Sequence, residues 1–128
     1  MYSIKKRFDF SAAHFLRGLP PTHPCAQMHG HNYQVEIEID TMDLDEIGFV
    51  LDYRALDGFK AIIDGRFDHK CINDVVDFNP TAENIARHIW DIVHKGVDAT
   101  LREKHDSYGL IIYVSETPKT WASYDGAT

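Results

Sequence analysis

Apolar and polar residues alternate most regularly between Asn32 and Asp40. Side chains two apart in a strand project from the same face, so this alternation predicts a β-strand with one buried and one polar face. A strand of this kind is typical of an antiparallel sheet covered on one side. The apolar positions are Tyr33, Val35, Ile37 and Ile39, and the polar positions between them are Gln34, Glu36, Glu38 and Asp40.

Three further segments have strand patterns. Residues Tyr2 to Phe10 alternate, with Lys6 as the exception. Gly109 to Thr117 carries apolar residues on both parities, which predicts burial on both faces or an edge covered by another subunit. Trp121 to Asp125 is a short final strand. Between the first two strands, residues 11–28 contain several Gly and Pro residues, which predict a long loop of the kind that often carries function.

Two helices are predicted between the second and third strands. The first begins near Asp52, a suitable N-cap, and stops at Gly65. The second runs from about Thr81 to Lys95, after a proline at its start. At 100° per residue its apolar residues share one side of the helix, with the polar residues opposite. We therefore expect His88 and His94 on the polar side, and His105 in the polar stretch beyond, to be solvated.

The order of elements is β-β-α-α-β-β. This order predicts an α+β fold with a four-stranded antiparallel sheet and two helices on one face. The 128 residues are enough for one domain, 1–128, with a substantial core. We find no internal repeat or low-complexity segment in the chain.

Composition narrows the class of function. A formal net charge of −7 argues against nucleic-acid binding, which needs a basic footprint, and against docking on an anionic membrane. No apolar run is long enough to span a bilayer and no secretory signal is evident. Two cysteines, Cys25 and Cys71, are too few for a disulfide framework, so we expect a cytoplasmic protein with reduced thiols. The sequence is also compatible with a disulfide bond between these two cysteines.

Three histidines are the best candidates for chemistry. His29 and His31 flank Gly30 and share parity with the apolar positions of the second strand, so both point to its buried face. His14 shares parity with Phe10 and joins them if the first strand continues that far. An isolated His-x-His is a weak signal, but three buried imidazoles without partners would be costly. Three histidines with one open position are typical of catalytic zinc.

Other reactive groups lie near these histidines or in connections. Cys25 precedes His29 by four residues, and a nearby cation would favour its thiolate. Asp68 and His69 lie in a connector and could act with a thiol in proton transfer, or could simply be a solvated loop. Glu116 ends the third strand as an ordinary exposed carboxylate, or as a buried acceptor for two parallel N–H groups. We interpret His23 as a solvated loop residue.

An ordered set of motifs along nearly the whole chain resembles the 6-pyruvoyltetrahydropterin synthase/6-carboxytetrahydropterin synthase family. Each motif alone is unspecific, but the set in this order is highly specific. The motifs are Phe10-Ser-Ala-Ala-His14, Cys25-x-x-x-His29-Gly-His31-Asn-Tyr33, Gly48-Phe-Val-Leu-Asp52-Tyr, Phe67-Asp68-His69, Asn79-Pro-Thr81-Ala-Glu83-Asn84 and Val114-Ser-Glu116-Thr117.

The resemblance implies the tunnelling fold, in which trimers close a twelve-stranded barrel and two trimers commonly stack into a homohexamer with active sites at subunit interfaces. It also implies a function for individual side chains. The implied zinc ligands are His14, His29 and His31; the implied catalytic residues are Cys25, Asp68 and His69; the implied pterin anchor is Glu116, with Thr81 and Glu83 lining the pterin pocket.

The spacing Cys-x-x-x-His resembles that of bacterial 6-carboxytetrahydropterin synthases in queuosine biosynthesis, since the pyruvoyl-forming members usually have a longer gap. The expected reaction converts 7,8-dihydroneopterin triphosphate to 6-carboxy-5,6,7,8-tetrahydropterin, acetaldehyde and triphosphate. One alternative is 6-pyruvoyltetrahydropterin synthase activity, and a more distant one is a non-catalytic pterin-binding or zinc-stabilised oligomeric protein. Because the chain is acidic, a triphosphate substrate also requires a local cluster of basic residues, for which the candidates are Lys5, Lys6, Arg7 and Arg17.

Overall fold

A computed structural model describes residues 1–127. Five strands and two α-helices account for most of the chain, and three short 3-10 turns lie in the connections. The strands are β1 (Tyr2–His14), β2 (His29–Thr41), β3 (Lys70–Cys71), β4 (Gly109–Thr117) and β5 (Thr120–Tyr124); the helices are α1 (Gly58–Phe67) and α2 (Ala82–Lys104); the turns are Pro24–Ala26, Tyr53–Leu56 and Ile72–Asp74.

The sheet has the strand order β3-β1-β2-β4-β5. The four long strands are antiparallel neighbours, which confirms the α+β prediction of an antiparallel sheet with two helices. The prediction of only four strands is wrong, because the two-residue strand β3 adds parallel to the end of β1. A strand this short is set by its neighbours, since two residues cannot display a periodic pattern.

Strands β1 and β2 are longer than predicted, at 13 residues each. They pair without a break from Tyr2 opposite Thr41 to His14 opposite His29. The segment 11–14 was expected to be loop, but cross-strand pairing extends it as strand despite its small residues. The connecting loop therefore spans 15–28, and it is flanked by His14 and His29.

Both helices also differ from their predicted bounds. Asp52 caps a 3-10 turn by accepting a hydrogen bond from the backbone N–H of Arg54, and α1 begins only at Gly58 and continues past Gly65. Helix α2 has 23 residues and runs through Gly96 to Lys104. A single exposed glycine weakens a helix without ending it when the flanking residues are well packed.

One hydrophobic core lies between the helices and the sheet. It combines the helix-facing residues of β1, β2 and β4 with the buried sides of α1 and α2. The helix-facing residues of β4 are buried and those on its other face are partly exposed. The edge of β4 is covered by β5 of the same chain. Within 1–127, neither helix is long and apolar enough to cross a membrane.

Gly96 lets the two helices approach closely. A Cβ at this position would lie 2.6 Å from Cζ and 2.9 Å from Cε1 of Phe59, a buried ring of α1. Gly65, also helical, has open space around the corresponding position. The two glycines therefore differ in packing while sharing a helical setting.

We expect Gly96→Ala to lower the free energy of unfolding. Overpacking a core costs about 1–3 kcal/mol, which outweighs the helix gain of about 1 kcal/mol. The matched control Gly65→Ala should raise it by roughly 0.5–1 kcal/mol. Urea denaturation followed by circular dichroism measures both. A stabilised Gly96→Ala variant would show that Phe59 moves aside freely.

The prediction that His105 is solvated is wrong. Its side chain is fully buried at the C-terminal end of α2. Its Nδ1 lies 2.9 Å from the Asp43 carboxylate and its Nε2 lies 2.7 Å from the carbonyl of Val50. Both partners can only accept, so both ring nitrogens donate and the ring is an imidazolium. No periodic pattern predicts this contact, because Asp43 and Val50 are in an irregular loop.

His88 and His94 are also less solvated than predicted. His88 lies against the rings of Phe67 and Phe78 and accepts a hydrogen bond from Arg66 Nε at 2.8 Å. Burial, together with the nearby Arg66 charge, lowers the pKa of His88. His94 stacks on Trp90 with ring centroids 4.5 Å apart. Of the histidines expected in solvent, only His23 is exposed.

The environment of His105 links stability to pH. Burial opposes its charge, but the hydrogen bonds to Val50 and Asp43 and the charges of Asp43 and Asp45 raise the pKa of His105. Lys104, which pairs with Asp45 at 3.4 Å, is the nearby cation. A raised pKa in the folded state stabilises the fold below the unfolded pKa of about 6.5, and this contribution disappears as pH rises through the folded value.

We therefore expect the stability difference between the native protein and His105→Gln to be larger at about pH 5.5 than at about pH 8.5. Asp43→Asn should shrink that pH dependence, because it removes the charge that faces the imidazolium. Chemical denaturation of all three proteins at both pH values measures the differences. An equal difference at the two pH values would mean that His105 is neutral in the folded protein.

Candidate metal centre and active site

The paired ends of β1 and β2 bring three histidines together. His14 lies directly opposite His29, and His31 is two residues further along β2 on the same face. One donor nitrogen from each residue lies within 4.8 Å of the other two. The ring centroids are 4.6 to 5.1 Å apart. The predicted convergence of His14, His29 and His31 on one point is thus confirmed as geometry.

Backbone carbonyls fix the protons on two of these rings. His14 Nδ1 donates to the Pro80 carbonyl at 2.8 Å and His29 Nδ1 donates to the Gln27 carbonyl at 2.7 Å. A neutral imidazole with its proton on Nδ1 has a free lone pair on Nε2. The two Nε2 atoms lie 3.0 Å apart, so two lone pairs face each other. A shared cation relieves this contact, and carbonyl partners on the remote nitrogens are typical of metal-ligating histidines.

The third histidine supports the same interpretation. His31 Nε2 is buried and has no hydrogen-bond partner among residues 1–127. Burial lowers the pKa of His14 and of His31, so both rings are held neutral, the form that binds metals. Three imidazoles whose ring nitrogens converge fit a divalent transition metal with a position left for another ligand.

Glu116 lies beside the histidines. Its carboxylate oxygens are 4.0 Å from His14 Nε2 and 3.7 Å from His31 Nε2. The residue is on β4, two strands away from His14, and the side chain is about one quarter exposed. Sequence reasoning identified Glu116 as a candidate but contained no signal for its closeness to the histidines, which depends on the order of strands in the sheet.

A cavity of about 350 Å³ opens next to Glu116. It contains all three residues that the family resemblance assigned to the pterin pocket, with Thr81 and Glu83 at the start of α2. Thr81 is also the N-cap of α2, accepting from the Asn84 backbone N–H at 3.1 Å. The remaining lining residues are Leu16, Ala82, Val114, Thr120, Trp121 and Ala122.

Asp68 and His69 form a hydrogen-bonded pair at the other edge of β1. Asp68 Oδ2 lies 2.9 Å from His69 Nδ1. The backbone N–H of Ser11 donates to Asp68 Oδ1 at 2.9 Å, and the N–H of His69 donates to the Ser11 carbonyl at 2.7 Å. The Ser11 N–H, followed by His69, lowers the pKa of Asp68, so the carboxylate stays ionised. The pair is fixed to β1 and presents an exposed imidazole.

His69 has a φ of 59°, the only positive value at a non-glycine residue in 1–127. This left-handed conformation is unusual for a residue with a Cβ and costs energy. Such strain is retained where surrounding bonds determine the backbone, as the two Ser11 contacts do here. The prediction that Asp68 and His69 act together is consistent with this geometry.

A cavity of about 540 Å³ is lined by residues from both the histidine cluster and the Asp68–His69 pair. Its walls include His31 from the histidine cluster, His69, and Cys71 from β3. Cys71 Sγ lies 3.6 Å from Met28 Sδ. Sequence reasoning did not identify Cys71 as part of this wall, because its place depends on the unforeseen strand β3.

Cys25 lies in the 3-10 turn of the loop between β1 and β2. The backbone N–H of Cys25 donates a hydrogen bond to the imidazole of His23 at 3.0 Å. The carbonyl of Cys25 accepts a hydrogen bond from the N–H of Leu16 at 2.8 Å. Both cysteines are free. Within 1–127, no hydrogen bond or ion pair joins Cys25 to Asp68 or His69. One chain therefore does not assemble the expected group of Cys25, Asp68 and His69 through direct polar contacts.

The chain is similar to known proteins over nearly its whole length. The family model described as 6-pyruvoyl tetrahydropterin synthase matches residues 3–127. The chain belongs to this family. A member from Bacillus subtilis named 6-carboxy-5,6,7,8-tetrahydropterin synthase is 32% identical over 130 residues, covering 96% of this chain and 84% of its own length.

Two further comparisons extend the family assignment. The 6-pyruvoyl tetrahydrobiopterin synthase of Drosophila melanogaster is 33% identical over 103 residues, covering 77% of this chain and 58% of its own length. The structure of Caenorhabditis elegans 6-pyruvoyl tetrahydropterin synthase superimposes with a TM-score of 0.79, at 23% identity, over 98% of this chain and 96% of that one. This likeness shows that the two proteins share a fold, as the tunnelling-fold prediction required.

We expect His29→Ala to lower the zinc content of the purified protein well below that of the native chain, because one of three converging lone pairs is lost. His23→Ala, in the exposed loop, is the matched control and should retain zinc. Elemental analysis by mass spectrometry after dialysis measures the occupancy. Unchanged zinc in His29→Ala would refute the three-histidine assignment.

Proposed function

We propose that this protein is a zinc-dependent 6-carboxy-5,6,7,8-tetrahydropterin synthase of queuosine biosynthesis. The proposed reaction converts 7,8-dihydroneopterin triphosphate to the carboxylated pterin, acetaldehyde and triphosphate. The observation that carries the proposal is the convergence of three histidine ring nitrogens beside Glu116 and an open cavity. The names of the Bacillus subtilis relative and of a Rickettsia bellii relative, 33% identical over 109 residues, support the choice of product.

His14, His29 and His31 would hold the zinc ion. Zinc bound there supplies Lewis acidity, which lowers the pKa of a coordinated hydroxyl oxygen and stabilises developing negative charge. His14 and His29 are held in the required tautomer by the carbonyls of Pro80 and Gln27. These carbonyl contacts keep the rings oriented before any ligand arrives, which reduces the reorganisation needed for binding.

Glu116 would hold the pterin ring. Its carboxylate can accept two parallel N–H bonds from the amino-pyrimidinone edge of the ring, a strong and directional contact. Thr81 and Glu83 would line the same pocket, in which they share a cavity with Glu116. Anchoring the ring beside the histidines directs the hydroxylated side chain of the substrate toward them, which is a positioning effect.

Cys25, Asp68 and His69 would transfer protons. The Cys25 thiolate would act as base and then acid at the side-chain carbons, and Asp68 would orient His69 as its relay partner. General acid–base catalysis of this kind contributes about 10²–10⁴-fold. Because Cys25 and His69 lie at separate places in one chain, we propose that they meet across an interface between copies in a homohexamer. The free cysteines are consistent with a cytoplasmic location.

A second candidate is 6-pyruvoyltetrahydropterin synthase activity, which eliminates triphosphate and keeps all side-chain carbons. The name of the Drosophila melanogaster relative favours it. The spacing Cys-x-x-x-His argues for the carboxy product, since the pyruvoyl-forming members usually have a longer gap. A non-catalytic pterin-binding protein is the third possibility, and it is disfavoured by the joint presence of Cys25, Asp68 and His69.

Product analysis tests this proposal. We expect zinc-loaded protein incubated with 7,8-dihydroneopterin triphosphate to release acetaldehyde and 6-carboxytetrahydropterin, identified by mass spectrometry. Cys25→Ala should abolish turnover while zinc stays bound, whereas Cys71→Ala, the other thiol, should retain it. A 6-pyruvoyl product would favour the second candidate, and no product from zinc-loaded protein would refute the enzymatic assignment.

A further inference from the structure

A β-bulge lies beside the candidate pterin pocket. Val114 pairs with Ala122 and Thr117 pairs with Thr120, so two residues on β4 face a single residue on β5. The two residues are Ser115 and Glu116, and the single residue is Trp121. Bulges re-aim side chains and are frequent next to active sites. The bulge thus sets Trp121 opposite the segment of β4 that carries the proposed pterin anchor.

Trp121 is the more open of the two tryptophans and has 43% of its surface exposed. The second tryptophan, Trp90, makes its polar and aromatic contacts within the fold. Its indole N–H donates to the Leu110 carbonyl at 2.8 Å, and its ring stacks on His94. Within 1–127, the Trp121 side chain makes no hydrogen bond and stacks on no aromatic ring. Its exposed face is therefore available to a ligand.

Trp121 lines the same cavity of about 350 Å³ as Glu116. Within 1–127 the carboxylate of Glu116 accepts no hydrogen bond, and the basic groups that it approaches are His31 at 3.7 Å and His14 at 4.0 Å. One cavity thus offers an acceptor for a polar edge and an aromatic surface for a flat ring. This combination suits a planar nitrogen heterocycle, because its edge donates N–H groups and its face stacks.

We propose that Trp121 stacks on the bicyclic ring whose edge is held by Glu116, and that it selects for flat aromatic ligands. The proposal rests on the proposed function and names one more residue of its binding site. Leu16 and Val114, which line the same cavity, supply apolar surface but no aromatic face. Trp121 is therefore the only aromatic residue among the side chains that line this cavity.

Neopterin is the probe, since it contains the ring but lacks the triphosphate and is not turned over. In a Trp90→Phe protein, Trp121 is the single source of indole fluorescence, and we expect neopterin to quench it. Isothermal titration should show a Kd within about threefold of the native value for Trp121→Phe, and roughly tenfold weaker binding for Trp121→Leu. Leucine keeps apolar bulk and removes the aromatic face.

Glu116→Gln separates this inference from the proposed function. If Glu116→Gln weakens neopterin binding while Trp121→Leu binds as tightly as the native protein, the pterin site stands and the stacking role of Trp121 is refuted. If neopterin fails to bind the native protein, both fall. Sedimentation of Trp121→Leu completes the test: an affinity loss that only follows a loss of assembly would assign Trp121 to a contact between copies and overturn its role with the ligand.

Discussion

The pairing register of β1 and β2 is the constraint on which the rest of this structure depends. Thirteen residues of each strand pair without interruption, and the last pair is His14 with His29. A slip of one residue would turn the apolar face of β2 to solvent, because side chains alternate between faces. The free energy of burying Tyr33, Val35 and Ile37 therefore also fixes the place where the histidines meet. The geometry of the histidine cluster is therefore a consequence of the hydrophobic core.

The same register brings together histidine nitrogens that lack hydrogen-bond partners, and a bound cation would offset the free-energy cost of burying them. The Nδ1 protons of His14 and His29 are committed to backbone carbonyls, so their Nε2 lone pairs face each other across 3.0 Å. His31 adds a buried nitrogen without a partner. Leaving such groups unsatisfied costs about 1–3 kcal/mol each. An ion that binds only the folded chain would recover this cost and stabilise the fold by mass action.

Sequence alone predicted the features that have a local period or a dense motif. The alternation in β2, the apolar side of α2 and the parity of His14 predicted those two elements and the histidine cluster, although not the exact bounds of the elements. Sequence alone did not predict the features that depend on tertiary contacts. Strand β3 exists because it pairs with Ala12 and Ala13, and His105 is buried because a loop 55 residues away in sequence supplies the Val50 carbonyl. The place of Glu116 beside the histidines required the order of the strands.

Strand β1 also sets the distance between the two parts of the candidate site. Ser11 holds Asp68 and His69 through its backbone, and His14 is a histidine of the cluster. Three residues of strand span about 10 Å, and a strand paired on both sides does not change that span. Cys25, in contrast, lies in the loop 15–28, whose length can vary without altering either strand. On the proposed assignment, the metal, the ring anchor and the relay are built on a rigid sheet, while the proton-transferring thiol is carried by an adjustable segment.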